Sequence, residues 1–211
     1  MSRGILTIVS GFSGAGKGTV MKAFLKKYTD YALSISVTTR SPRNEEQEGR
    51  EYFFRSKEEF EKLIEENELL EYAQYSGNYY GTPRSYVEKC LGEGKDVILE
   101  IEIQGAGKVK KMFPDAVLVF VTPPSVEELY RRLSSRGTET PEQIAVRMET
   151  AGKEAEHMDE YDYLLINDSL EECVDSLQQI ILNEHRCVER NAEFTGRIRS
   201  EFKTFKIENK Q

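Results

Sequence analysis

The chain has 211 residues, of which 38% are hydrophobic and 31% are charged. These fractions indicate a folded globular protein with a substantial core and exclude a disordered or fibrous chain. The net charge of −8 at pH 7 argues against sequence-independent nucleic-acid binding, and no apolar run is long enough to predict a membrane span. We therefore expect neither nucleic acid nor a membrane as a partner.

The cysteines indicate the compartment. Cys90, Cys173 and Cys187 are an odd number and lack the spacing of metal ligands, which indicates free, reduced thiols in a cytoplasmic protein. The short apolar run after Arg3 is interrupted by glycines, so we interpret it as a strand rather than as a signal peptide.

The first predicted element is a buried strand from Ile5 to Ser10, followed by a glycine-rich turn and a helix. The residues from Gly11 to Lys17 have the spacing G-x-x-x-x-G-K of a phosphate-binding loop. Glycines let the backbone take positive φ and wrap around an anion, while the helix N-terminus favours negative charge. Lys17 adds a movable positive charge. A glycine-rich turn without a ligand is the alternative, which the flanking strand and helix disfavour.

The loop departs from the usual motif at one position. Gly18 follows the lysine where Ser or Thr is usual, and Thr19 comes one residue later. Phosphate binding by the backbone does not depend on this position. The sequence leaves open whether the Thr19 hydroxyl reaches a magnesium ion.

Residues 35–85 interrupt the alternation of strands and helices, and we interpret them as an inserted subdomain. We expect a half-buried strand over 33–37, a polar loop over 38–50, a strand over 52–54, a helix from Ser56 to about Asn67 and a strand over 69–75. The loop carries Arg40 and Arg43, with Tyr52 just after it. Arginine's planar fork suits phosphate oxygens, although a solvated basic turn is the alternative.

Glu71 is an isolated acid between Leu70 and Tyr72 in the strand predicted over 69–75. A carboxylate accepts two parallel hydrogen bonds, which guanine offers from N1–H and its exocyclic amine and adenine does not. A site of this kind rejects the wrong base because buried groups would stay unpaired. An exposed glutamate on an edge strand is the alternative.

The rest of the chain alternates between helices and strands. We expect a helix over 85–91, a strand over 96–102, a helix over 104–112, a strand over 116–121, helices beginning at Ser125 and Thr140, a strand over 163–166 and a helix from Ser169. The helix from Ser125 is expected to end at Gly137, and the polar tail after Asn191 to fray. This pattern predicts an α/β fold with a mostly parallel sheet flanked by helices, whose ligands gather beyond the carboxyl ends of the strands.

Two groups of charged residues stand where such ligands are expected. Glu100 and Glu102 end a predicted strand, project to one side of it, and could hold magnesium directly or through water. Arg132 and Arg136 are four residues apart on a predicted helix, and Arg147 lies on the next. Three such arginines could close over a triphosphate. Strand-end solubility and ordinary helix-surface charge are the alternatives.

The chain resembles the guanylate kinases in segments that follow that family's order: residues 10–19, 36–43, 71–73, 77–82, 99–105, 132–137 and 161–168. The block Asn78-Tyr79-Tyr80-Gly81-Thr82 is highly specific. The resemblance implies a P-loop core over 1–34, 86–124 and 159–211, an inserted GMP-binding subdomain over 35–85 and a helical lid over 125–158. It also implies phosphoryl transfer from ATP to GMP, and to dGMP, with Mg²⁺ as cofactor.

The resemblance further assigns roles to individual residues. The implied ATP site comprises Gly11, Ser13, Gly14, Ala15, Gly16, Lys17, Gly18, Thr19, Arg132, Arg136 and Asn167. The implied GMP site comprises Ser36, Arg40, Arg43, Tyr52, Glu71, Tyr80, Thr82, Glu100 and Glu102. The implied catalytic residues are Lys17, Arg40, Arg136 and Arg147. Magnesium is expected to be held mainly through phosphates and water, with Thr19 and Glu100 as candidate ligands.

Three positions depart from the family's pattern. Phe12 stands where proline is common, and Glu100 and Glu102 stand where many members have aspartate. Two other functions stay open: a non-catalytic guanylate-kinase-like module that binds phosphorylated peptides, and a kinase for another nucleotide or a small phosphate ester. Lys17 and the lid arginines favour catalysis. The sequence does not determine whether the chain is a monomer or a homo-oligomer.

Overall fold

The computed structural model describes residues 3–43, 46–75, 77–135 and 139–205. The strands, in chain order, are β1 (Leu6–Gly11), β2 (Tyr31–Leu33), β3 (Ser36–Thr38), β4 (Tyr52–Phe54), β5 (Leu69–Tyr75), β6 (Asn78–Pro83), β7 (Asp96–Glu100), β8 (Val117–Thr122) and β9 (Tyr163–Ile166). The helices are α1 (Lys17–Lys27), α2 (Lys57–Glu65), α3 (Arg84–Gly92), α4 (Ile103–Met112), α5 (Val126–Ser134), α6 (Pro141–Ala155), α7 (Leu170–Glu184) and α8 (Ala192–Thr204).

The core is a parallel sheet in the order β2-β7-β1-β8-β9. All residues of β1 are buried, because helices cover both faces of the sheet. Phe24 of α1 and Leu177 of α7 pack on one face, and Val87 of α3 and Val109 of α4 pack on the other. A parallel sheet buried on both faces explains the continuous apolar runs of its central strands. The predicted α/β fold is confirmed.

A second, mixed sheet has the order β4-β3-β6-β5. β3 pairs with β4 in parallel and with β6 antiparallel, and β5 completes the antiparallel side. Its small core contains Val37, Phe60 and Leu69. Phe60 is supplied by α2, whose capping box joins Ser56 and Glu59, as the sequence predicts. The sheet falls within the segment predicted to be an insert.

The prediction of a single strand over 33–37 is wrong. β2 ends at Leu33, and the next amide, Ser34 N, still donates to Ile98 O in the core sheet. The chain then enters the second sheet, where Ser36 lies opposite Tyr52. A short alternating pattern cannot reveal that its two ends pair with different sheets. The prediction also missed β6, which follows a turn of only a few residues.

Three further boundaries differ from the prediction. β7 ends at Glu100, and Glu102 occupies the N-cap position of α4 instead of continuing the strand. α5 ends at Ser134 rather than at Gly137, which lies outside the described residues. The tail expected to fray contains α8, from Ala192 to Thr204.

The thiols are free, as predicted. Cys90 and Cys173 are buried, and Cys187 is partly exposed. Burial raises the pKa of Cys173 to about 11, so this thiol stays protonated and behaves as a small apolar group. Across the described ranges, no helix has both the length and the apolar character needed to span a membrane.

Candidate active site

The glycine-rich loop between β1 and α1 has the backbone that its sequence predicts. Gly11, Gly14 and Gly16 have φ angles of 138°, 100° and 93°. A Cβ atom at Gly11 would lie 2.0 Å from Val121 O. One at Gly16, the N-cap residue of α1, would lie 2.6 Å from Asn167 Nδ2. A side chain at either position would displace its neighbour, so the loop requires glycine there.

Lys17 is the first residue of α1 and is only 8% exposed. Its Nζ donates to the carbonyl oxygens of Gly11, at 2.6 Å, and Phe12, at 3.3 Å. The same ammonium lies 3.8 Å from Glu102 Oε2, whose side chain is largely exposed. The lysine therefore holds its charge between the loop carbonyls and an open cleft.

Arg132 reaches the loop from α5. Its Nε donates to Glu128 Oε1 at 2.6 Å, and its terminal nitrogens donate to Ala15 O at 3.3 Å and Asn167 O at 2.8 Å. Asn167 Nδ2 also donates to Ala15 O, at 2.8 Å. Hydrogen bonds from Arg131 and Arg132 hold the pKa of Glu128 at about 2. Arg132 and Asn167 are therefore fixed against the loop in one network.

Arg147 reaches the same loop from α6. One terminal nitrogen donates to Ser13 Oγ at 2.7 Å, and the other pairs with Glu139. Both members of the ion pair are mostly shielded from solvent. Arg136, the other predicted lid arginine, lies outside the described residues. The structure thus brings two of the three predicted arginines onto the glycine-rich loop.

A cavity of about 390 Å³ lies beside these arginines. Its lining includes Gly14, Gly16, Thr19, Arg132, Asn167 and Asp168. A helix N-terminus and a guanidinium group facing one space are the chemistry that holds a phosphate group. The other predicted ATP-site residues of the loop, Ser13, Ala15, Lys17 and Gly18, lie in the same turn and the start of α1.

A second cavity, of about 620 Å³, lies between the insert, the β7–α4 connection and α6. Glu71 and Ser36 line it, and Thr82 Oγ1 donates to Glu71 Oε1 at 2.7 Å. A Cβ atom at Gly105 would lie 3.4 Å from Glu71 Oε2. Burial raises the pKa of Glu71, while the Thr82 hydrogen bond and the Lys108 charge lower it. Glu71 is a half-buried carboxylate at a cavity, not an exposed edge-strand residue.

Arg40 stands among the other predicted phosphate ligands of the insert. Its guanidinium donates to both oxygens of Glu46, at 2.8 and 3.0 Å, and its Cζ lies 5.4 Å from the Tyr52 ring centroid. The rings of Tyr52 and Tyr80 meet edge-on at 6.0 Å. Glu46, and then Tyr80, raise the pKa of Arg40. The Arg43 backbone N donates to Glu46 Oε2 at 2.8 Å, but its side chain is exposed.

Besides Glu71, three carboxylates line the cavity of about 620 Å³: Glu100, Glu102 and Glu154. Desolvation raises the pKa of Glu100, opposed by Lys17 and reinforced by Glu102. Desolvation also raises the pKa of Glu154 on α6, where Glu102 again raises it and Lys17 lowers it. These acids and the lysine are therefore close enough for their charges to act on one another.

The two candidate magnesium ligands lie on different sides of the first turn of α1. A Cβ atom at Gly18 would lie 3.6 Å from Glu100 Oε1, so Glu100 faces this glycine. Thr19, one residue later, lines the smaller cavity instead. The glycine that interrupts the motif therefore adjoins the carboxylate, whereas the threonine after it adjoins the other cavity.

Sequence reasoning missed the carboxylates that hold the arginines. Glu46, Glu128 and Glu139 stand six, four and eight residues from their arginine partners. Only the spacing of four on α5 is a helix-pair signal that a sequence can show. The other two pairs depend on the path of a loop. Glu154, which lines the cleft, was also missed, because helical spacing alone makes it a surface residue.

A glycine-rich loop at the carboxyl end of the central strand of a parallel sheet, with a lysine at the following helix N-terminus, defines a P-loop nucleotide-binding protein. A sequence model described as guanylate kinase matches residues 3–184. The chain is 53% identical over 190 residues to a guanylate kinase of Oceanobacillus iheyensis, which covers 90% of this chain and 92% of that protein.

Two more relatives agree. A guanylate kinase of Bacillus subtilis is 52% identical over 191 residues, covering 90% of this chain and 94% of that protein. The crystal structure of guanylate kinase from Anaplasma phagocytophilum superposes with a TM-score of 0.67 at 35% identity, covering 87% of each chain. The chain belongs to the guanylate kinase family.

Proposed function

We infer that this chain transfers the γ-phosphoryl group of ATP to GMP, giving ADP and GDP. The observation that carries this inference is the pairing of Glu71 with Thr82 at a cavity that Glu102 also lines, and Glu102 lies 3.8 Å from the Lys17 ammonium. The carboxylate proposed to read guanine and the partner of the phosphate-binding lysine thus line one cavity. Family membership supports the same reaction.

We propose three functional units. The core over 1–34, 86–124 and 159–211 holds ATP, the insert over 35–85 holds GMP, and the hairpin over 125–158 is the lid. The separate sheet and small core of the insert support the first division. Contacts of α5 and α6 with the glycine-rich loop support the role of the lid.

The proposed ATP site uses the glycine-rich loop, Lys17, Arg132, Arg136 and Asn167. Loop N–H groups and the α1 N-terminus receive the phosphate oxygens, and Lys17 adds positive charge. Arg132 and Arg147 already contact loop atoms, so a small rotation of their forks redirects them to a phosphate. We propose that Arg147, with Arg136, neutralises charge that develops during transfer.

The proposed GMP site reads the base and the phosphate separately. Ser36, Glu71 and Thr82 receive the guanine edge, because the carboxylate can accept from N1–H and the exocyclic amine together. The phosphate is received by Arg40, Arg43, Tyr52 and Tyr80, with Arg40 supplying a planar fork. Glu100 and Glu102 complete the site at the cleft floor.

The transfer forms a bond between an oxygen of the GMP phosphate and the γ-phosphorus, while the bond from that phosphorus to the ADP oxygen breaks. The acceptor phosphate is ionised near neutral pH, so no strong general base is required. Alignment of two anions and neutralisation of their repulsion by Lys17, Arg40 and Arg147 supply most of the rate. Closure of the lid excludes water as a competing acceptor.

The residues present fit Mg²⁺, which prefers carboxylate and other hard oxygen ligands. Glu100 and Glu102 offer carboxylates at the cleft floor, and Thr19 offers a hydroxyl on the other side of the loop. We propose that the ion is held mainly by phosphates and water, with Glu100 or Thr19 as a further contact. When bound, it neutralises charge on the β- and γ-phosphates.

A coupled assay of ADP formation with ATP, Mg²⁺ and each of GMP, dGMP, AMP, CMP and UMP tests this function. We expect GMP to be turned over fastest and dGMP also to be accepted. Faster turnover of AMP would overturn the guanine assignment. Binding of a phosphorylated peptide without any GDP formation would support a non-catalytic module instead.

We also propose a cytoplasmic location and no nucleic-acid partner, which the free thiols and the acidic charge support.

A further inference from the structure

The last helix presents an apolar face to solvent. Phe194, Ile198 and Phe202 recur every fourth residue of α8, and Phe205 follows its end. The three phenylalanines are 55%, 77% and 71% exposed in chain order. We call these four residues the α8 stripe. Within the described part of the chain no residue of α8 is buried, and the helix lies beyond the segment matched by the family.

A second apolar surface lies between α5, α6 and β9. It encloses about 390 Å³ and is lined by Val126, Met148, Ala155, Leu164 and Ile166, among others. We call these five residues the β9 groove. Val126, Leu164 and Ile166 are 67%, 52% and 54% exposed. None of the five lines either nucleotide cavity, and Val126, Met148 and Ala155 belong to the hairpin proposed as the lid.

The tail that carries the α8 stripe is more basic than the rest of the chain. Residues 192–211 contain five lysines or arginines and three glutamates, in a chain whose net charge is −8. Arg199 and Lys203 are exposed on α8, whereas exposed Glu127 and Glu156 adjoin residues of the β9 groove. An anionic lipid surface would attract the tail but repel the acidic body. A second copy of the chain offers both the apolar groove and the acidic rim.

We propose that the α8 stripe of one copy docks into the β9 groove of a second copy, with the exchange made in both directions. Exposed phenylalanines on a short helix are suited to act as anchors in an apolar groove. Two-fold symmetry makes each contact twice, which doubles the area buried by one helix. The interface is separate from the nucleotide cavities and does not depend on which nucleotide the enzyme accepts.

Sedimentation of the 211-residue chain over a range of concentrations tests the proposal. We expect a monomer–dimer equilibrium in the parent chain. Phe202→Asp places a charge in the stripe, and Val126→Asp places one in the groove while keeping an acid favourable in the first turn of α5. Each is expected to raise the dimer dissociation constant at least about tenfold.

Two control variants add the same charge elsewhere on the same helices or hairpin. Ser200→Asp lies on the other side of α8, because two residues turn a helix by about 200°. Val146→Asp replaces a valine of α6 that is 62% exposed and lies outside the groove. Both controls are expected to dimerise like the parent chain. Circular dichroism of all four variants verifies that loss of dimer is not loss of fold.

Mixing the two defective variants separates the proposed geometry from pairing of two α8 helices. The Phe202→Asp copy keeps an intact groove and the Val126→Asp copy keeps an intact stripe, so the mixture is expected to form a heterodimer through one contact. A parent chain that stays monomeric, or a Val126→Asp variant that dimerises normally, would overturn the proposal. So would binding of a monomeric parent chain to phosphatidylserine vesicles.

Discussion

The proposed ATP and GMP phosphate sites are built from different parts of the chain. The first uses the backbone of residues 11–17, which joins the buried strand β1 to α1. A Cβ atom at Gly11 would lie 2.0 Å from Val121 O of the neighbouring strand β8. The second uses the side chains of Arg40, Tyr52 and Tyr80 on a loop and two short strands. Packing fixes the position of the backbone in the first site. In the second site, hydrogen bonds to the Glu46 carboxylate fix the position of Arg40.

This difference predicts which changes affect turnover and which affect the binding and selection of GMP. A backbone site is ordered before its ligand arrives and costs little to fix when the ligand binds. A side-chain site must hold flexible arginines, and here a glutamate and an aromatic face hold Arg40 in place. We therefore expect changes at the loop lysine to affect turnover, and changes in the insert to affect GMP affinity and base selection.

The largest expected effect is at the loop. Lys17→Ala removes the charge nearest the phosphates, and we expect kcat to fall by about 10³-fold or more. The assay is the coupled measurement of ADP formation. Lys22→Ala, an exposed lysine of the same helix, is the matched control and should keep full activity. Thermal unfolding of both variants should stay close to the parent. A Lys17→Ala enzyme with normal kcat would contradict the role of this lysine.

Base selection should depend on Glu71. Glu71→Gln replaces one acceptor oxygen by a donor, leaving one guanine N–H group without a partner. We expect the ratio of kcat/KM for GMP over AMP to fall by about 100-fold. Glu68→Gln, an exposed glutamate just before the same strand, should leave the ratio unchanged. If the Glu71→Gln variant still discriminated fully against AMP, another group would have to read the base.

Phosphate capture in the insert should depend on Arg40. Arg40→Ala is expected to raise KM for GMP roughly 10- to 100-fold, because a charge-assisted fork is lost, with little change in KM for ATP. Arg55→Ala removes an arginine of the same insert that pairs with Glu48 and serves as control. An effect confined to ATP affinity would contradict the assignment of Arg40 to the GMP site.

The smallest expected effect is on pH dependence. Burial raises the pKa of Glu71 above its ordinary 4.5, so protonation begins at a higher pH than for an exposed glutamate. As pH falls through this raised pKa, the carboxylate is lost as an acceptor, and KM for GMP should rise a few-fold. Glu71→Gln should flatten this part of the profile. A profile identical in both enzymes would assign the titration to another group.

Local patterns predicted most elements of the core and three of the insert, β4, α2 and β5. The strand β9 follows from a short apolar run and the start of α2 from a capping box, and both are local signals. The change of sheet after Leu33 and the unrecognised β6 depend on pairing between distant segments. Local patterns do not encode such pairing, so the sequence could not place the insert's second sheet.

The site divides in the same way. The loop glycines and Lys17 were predictable, because their motif carries its own backbone requirement. The half-burial of Glu71 was not, since it depends on the insert meeting the β7–α4 connection and α6 around one cavity. Nor were the partners Glu46 and Glu139, which meet their arginines through the path of loops. The resemblance to the family identifies the site residues, whereas only the structure shows which side chains fix their positions.

The crossing between the two sheets has a consequence for engineering. The chain enters the insert through Ser34 and Ile35 alone, and it leaves at Pro83, which caps α3 directly. Both junctions are short, and the insert has its own small core of Val37, Phe60 and Leu69. We therefore expect that exchanging residues 36–83 between relatives would move Arg40 and Glu71, and with them part of the acceptor preference, while the glycine-rich loop stays as it is.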